Sequence, residues 1–162
     1  MKFVIEQLAI VPPDREAAIQ LLKDIGLTEW AEDIVVAEGA VLCASNKVNV
    51  ANLAFNYQAS DKDPSMPTIT PLEFEVLNYR AGDNWLGKFS GASHLGMHCT
   101  AEELTEWRAF FAQRGIGVAQ EVDTLSHTNP NIAGKRWYKY VIFQTRPILG
   151  IDLKFIVRKD AR

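Results

Sequence analysis

Ala92-Ser93-His94-Leu95-Gly96-Met97-His98-Cys99-Thr100 reads as a strand that runs directly into a helical pattern over 101–115. Side chains alternate across an extended chain, so Leu95, Met97 and Cys99 share one face while His94, Gly96 and His98 share the other. A strand with one greasy face and one imidazole-bearing face separates a packed core from a cavity. Two of the chain's three histidines stand on that second face, so the other segments matter first for what they bring to it.

Working outward, the same order of elements occurs twice. Upstream, 2–11 is rich in strand formers and stops at Pro12-Pro13, since proline cannot donate to a ladder. Apolar residues at helical spacing over 14–25 follow, closed by Gly26. Three short strands are then predicted over 28–36, 40–45 and 48–57, with Gly39 and Asn46-Lys47 as turns, followed by a polar loop at 59–70 and a strand over 71–79. Downstream, the helix at 101–115 carries the core stripe Leu104, Trp107, Phe110 and Phe111 and closes at Gly115. Strands are predicted over 118–125, 137–145 and 150–157, with a polar loop holding His127 between the first two. This is an internal duplication: an α+β chain of two βαβββ modules, 1–80 and 92–162, joined by a glycine-rich linker at 81–91, with curved mixed sheets and the helices outside.

The totals exclude several classes. At 162 residues, 48% hydrophobic and 23% charged, the chain can bury a real core. A net charge of −3 without a basic run gives no electrostatic footprint for nucleic acid. No apolar run approaches the roughly 18–20 residues of a spanning helix, and no export signal is visible, so a cytoplasmic protein is expected. Cys43 and Cys99 form no disulfide framework; free, inert thiols are expected.

Four strands pair an apolar face with an unusual polar one. The first offers Gln7, the end of the first module Glu73 and Glu75, the start of the second His94 and His98, and the last strand Asp152 and Lys154. Buried charges are costly unless they line a cavity, meet partners or hold a metal. Imidazole and carboxylate donors suit a divalent ion. Lys154, two residues beyond Asp152 on the same face, is a possible ion-pair partner for it.

These segments resemble the vicinal oxygen chelate superfamily of glyoxalase I, extradiol dioxygenases, methylmalonyl-CoA epimerase and bleomycin-resistance proteins. The likeness rests on Ile5-Glu6-Gln7-Leu8-Ala9-Ile10, Phe74-Glu75-Val76, Ser93-His94-Leu95-Gly96-Met97, and Phe143 nine residues before Asp152-Leu153. The turn 144–150 departs from the family's usual Asp-Pro-x-Gly-Asn. The resemblance implies the metal ligands Gln7, Glu75, His94 and Asp152, a set most like that of glyoxalase I, holding Zn, Ni, Mn or Fe. It implies Asp152 or Glu75 as the catalytic base, and a small-molecule ligand met by Glu73, His98, Lys154, Arg136 and Tyr138. A homodimer is expected, without nucleic-acid or membrane partners. The function implied is a metal-dependent lyase or isomerase acting on a small oxygenated substrate. The alternatives are a metal-free binding protein of the bleomycin-resistance type and a dioxygenase-like enzyme.

Overall fold

The computed structural model describes residues 1–42, 45–56, 72–81, 86–126, 128 and 133–160. Its elements run β1 (Gln7–Val11), α1 (Arg15–Asp24), β2 (Ala31–Leu42), β3 (Ser45–Asn56), β4 (Glu73–Ala81), β5 (Gly91–His98), α2 (Ala101–Ala112), β6 (Val118–Leu125), β7 (Arg136–Phe143), α3 (Arg146–Leu149) and β8 (Asp152–Asp160). The strands close into a barrel in the order β1-β4-β3-β2-β6-β7-β8-β5. The βαβββ order therefore occurs twice, as the sequence pattern predicts. The halves join where β1 lies antiparallel to β5 and where β2 meets β6.

Local chemistry explains both main helices. Asp14 caps α1 by accepting a hydrogen bond from the Ala17 amide at 3.0 Å, and Thr100 and Glu103 cap α2 reciprocally. Each helix exits through a glycine with positive φ, Gly26 at 105° and Gly115 at 69°, a conformation other residues resist.

Alternation then sorts the side chains. Outside the barrel, α2 presses Leu104, Trp107 and Phe111 onto Met97, Val141, Phe143, Phe155 and Val157. Phe111 stacks on Phe143 with centroids 4.3 Å apart. On the other half, Ile19 of α1 packs on Ala54 and Val76. Inside, Ala9, Ala51, Leu53 and Leu77 form an apolar cluster. Towards the start of β1 and β4 the interior turns polar, and there the candidate residues gather, with Ala9 at the boundary between Glu75 and His94.

Four details differ from the sequence pattern. Gly39 is not a turn: it lies within β2, where the ladder to β3 shifts register between Ala37 and Ala40. A bulge absorbs the glycine, so two long strands replace three short ones. Within the loop 144–150, Arg146–Leu149 form the short helix α3, and the strand before it ends at Phe143. The last strand runs on to Asp160. The two curved sheets also close on each other at the β2–β6 seam. No helix among the described residues is long and apolar enough to cross a membrane. His127 and Cys43 lie outside the described residues.

Candidate functional site

The polar end of the barrel is built by register. β1 sets Gln7 beside Glu73 on β4 and Gly96 on β5, while β5 sets His94 beside Asp152 and Gly96 beside Lys154 on β8. Gln7, Glu75, His94 and Asp152 come from four separate strands, and each is at most 2% exposed. Gly96 makes room for one of them: a Cβ there would stand 2.8 Å from both Cβ and Oε1 of Gln7. Gly96→Val is expected to lower stability by about 1–3 kcal/mol through overpacking. An unchanged urea midpoint would show that Gln7 has space to move.

The hydrogen bonds form a directed chain. Gln7 donates its amide to Glu73 and offers Oε1 to His94 Nε2 at 3.0 Å. The same Nε2 lies 3.1 Å from Glu75 Oε2, and Nδ1 lies 3.1 Å from the Ser93 hydroxyl. Both oxygens at Nε2 are acceptors, so the partners assign the imidazole proton to Nε2 and the lone pair to Nδ1, facing Ser93.

Charge is settled within the chain. Glu73 meets Arg158 at 3.0 Å, Glu75 meets Lys154 at 3.4 Å, and Asp152 meets Arg146 Nε at 3.1 Å and the Arg146 amide at 3.0 Å. Burial pushes the Glu75 carboxyl up, but the Lys154 ammonium and the His94 hydrogen bond outweigh it and hold the group at about 2. Burial and then the Lys154 charge push His94 down to about 4, against the pull of Glu75. At neutral pH the pair is an ionised carboxylate and a neutral imidazole.

This pair makes stability depend on pH. An unfolded histidine titrates near 6.5, whereas folded His94 stays neutral to about 4. Between those values the unfolded chain binds more protons, so stability falls as pH drops from about 6.5 to about 4. Glu75 adds a second loss as pH falls from the ordinary carboxyl value of 4.5 towards about 2. Calorimetry should show melting temperatures falling across the first window, and less steeply in His94→Gln. A flat wild-type profile there would contradict the assignment.

Other expected residues, Arg136, Tyr138 and His98, stand around the Glu73–Arg158 ion pair. Arg158 stands over the Tyr138 ring at 5.8 Å, and Arg136 hydrogen-bonds the Tyr138 side chain. His98 Nδ1 lies 3.3 Å from Glu6, while its Nε2 is buried without a partner among the described residues. Gln120 donates to the Tyr140 hydroxyl at 3.0 Å, and its Oε1 is buried without a partner among the described residues.

Of the implied metal ligands, Gln7, Glu75 and His94 come together, whereas Asp152 turns both oxygens to Arg146. Among the described residues no three His, Cys, Asp or Glu side chains form a group that could hold a metal ion. As arranged, the donors do not fit a divalent ion: Nε2 holds a proton where a metal needs a lone pair, and each carboxylate already has a cation. Lys154 pairs with Glu75 rather than with Asp152. Sequence reasoning misses Arg146, Arg158 and Ser93. Arg158 has a visible signal, because alternation along β8 puts 152, 154, 156 and 158 on one face.

The barrel of two βαβββ halves is a fold that solved proteins share. No family model matches the chain, and no curated protein matches it. Solved structures do. A variant of Streptomyces coelicolor methylmalonyl-CoA epimerase in complex with 2-nitronate-propionyl-CoA is 12% identical, with 94% of this chain and 92% of that one covered and a TM-score of 0.54. A methylmalonyl-CoA epimerase in complex with methylmalonyl-CoA and NH4+ is 11% identical over 94% and 92%, with a TM-score of 0.51. A hypothetical protein from Bacillus halodurans C-125 is 11% identical over 98% and 96%, with a TM-score of 0.52. These likenesses support the superfamily's fold and not the narrower likeness to glyoxalase I.

Proposed function

We propose that this chain is a small-molecule isomerase that moves a proton at the carbon next to a carbonyl, with Glu75 as the base. The observation that carries the reading is the ionised Glu75 carboxylate held by neutral His94 and the Lys154 ammonium at the polar end of the barrel. In the step, the substrate C–H bond breaks, the proton passes to Glu75, and the electron pair moves onto the carbonyl oxygen. Return of the proton to the other face or to a neighbouring carbon completes an isomerisation without a further reactant. His94 and Gln7 position the carboxylate.

A carboxylate near 2 is a weak base at rest. Burial favours a higher value, and the Lys154 charge opposes it most. A carbonyl oxygen that draws the ammonium towards itself therefore raises the basicity of Glu75 as it binds. The epimerase neighbours make acyl-CoA thioesters natural first candidates, and one of them was solved with its substrate and NH4+. Lys154 offers a tethered ammonium.

The experiment is solvent deuterium exchange. Wild-type protein is incubated in D2O with a panel of 2-oxo acids, α-hydroxy ketones and acyl-CoA thioesters, and label at the carbonyl-adjacent carbon is followed by NMR. Exchange of one compound well above the buffer rate is expected; no exchange across the panel contradicts the reading.

A second reading, a binding protein without catalysis, is favoured by His98 Nε2 and Gln120 Oε1, which have no partner among the described residues. Buried polar atoms without partners are costly, and a bound ligand would satisfy them. A compound that binds tightly without exchanging label marks that case.

A further inference from the structure

The geometry points to Lys154 as a built-in replacement for a divalent ion: its ammonium supplies the positive charge at the Glu75–His94–Gln7 cluster and keeps a metal out. Four observations converge. Lys154 Nζ lies 3.4 Å from Glu75 Oε2, the same oxygen that meets His94 Nε2 at 3.1 Å, so ammonium and imidazole share one carboxylate atom. Lys154 is 7% exposed, which is unusual for a lysine and makes its charge a fixed part of the barrel interior. The Tyr140 ring lies 4.9 Å from Nζ and solvates the cation on another side. The other two carboxylates of this cluster, Glu73 and Asp152, are matched by Arg158 and Arg146, so an added divalent ion would bring two positive charges that neither of them balances.

The inference rests on the proposed isomerase for one consequence: the ammonium faces the carbonyl oxygen as negative charge develops there. Its metal-excluding role stands without that reaction and is tested apart from it. Wild type, Lys154→Met and the double variant Lys154→Met/Glu75→Gln are titrated with MnCl2, ZnCl2 and NiCl2 by calorimetry, and melting is followed with and without each ion. Expected is no stoichiometric binding by wild type and binding of about one ion per chain by Lys154→Met, at least tenfold tighter. That gain should disappear in the double variant. If wild type binds one ion as tightly as Lys154→Met, or if folded Lys154→Met gains none, the inference is overturned. Should Lys154→Met not fold by itself, return of its folded circular-dichroism signal with MnCl2 but not with NaCl of equal ionic strength supports it, and no return overturns it. Absence of deuterium exchange together with the expected metal results would sink the isomerase and leave this inference standing.

Discussion

Arg146→Met is expected to destabilise the fold by about 3–5 kcal/mol, the cost of leaving a buried carboxylate without its cation. Asp152 is fully buried, and its oxygens meet the Arg146 side chain and amide at 3.1 and 3.0 Å. The guanidinium also bonds the carbonyls of Ala92 and Ser93, at 3.2 and 2.5 Å, and lies over the Phe89 ring at 4.3 Å. Methionine keeps much of the volume and the backbone amide bond to Asp152, but none of the guanidinium's bonds. Because Ser93 holds His94 through Nδ1, loosening this corner reaches the site itself. Urea denaturation measures the loss, and adding Asp152→Asn to the same chain should recover part of it, since a neutral amide needs no cation. A cost below about 1 kcal/mol would mean that the carboxylate finds water or another partner.

Glu75→Gln is expected to slow exchange by a factor of about 10²–10⁴, the usual contribution of a positioned general base. The amide conserves shape and can still accept from His94 Nε2, now 3.1 Å from the carboxylate. It cannot take a proton. Because substrate binding depends mainly on groups that remain, the loss should fall on kcat more than on KM. Circular dichroism must show an intact fold, since the Lys154 partner is lost as well. Exchange within threefold of wild type would move the proton transfer to another group, Asp152 being the other acid implied by the sequence resemblance.

How far the sequence leads depends on which physical rule each residue obeys. Alternation alone places His94 and His98 opposite Met97, and places Glu73 and Glu75 opposite Phe74 and Val76. The structure follows this because one face of each strand must pack: Met97 lies in the α2 core and Val76 in the α1 cluster. Pairing across the barrel is a different matter. Lys154 and Glu75 are 79 residues apart, and nothing local tells which inward cation meets which acid. Arg146 is hidden by its turn, although Pro147 near the start and Gly150 at the end, with φ of 74°, are the signals of a short helix. The long β2–β3 hairpin is obscured for the opposite reason, since a bulge accommodates the glycine that marks a turn elsewhere.

Neutralisation of Glu73, Glu75 and Asp152 by Arg158, Lys154 and Arg146 is tested most directly by a crystal structure grown at neutral pH with MnCl2 and measured at the manganese edge. Expected are no anomalous peak in the polar end of the barrel and Lys154 Nζ within hydrogen-bonding range of Glu75. An anomalous peak ligated by Gln7, Glu75, His94 and Asp152, with Lys154 and Arg146 swung aside, would contradict it.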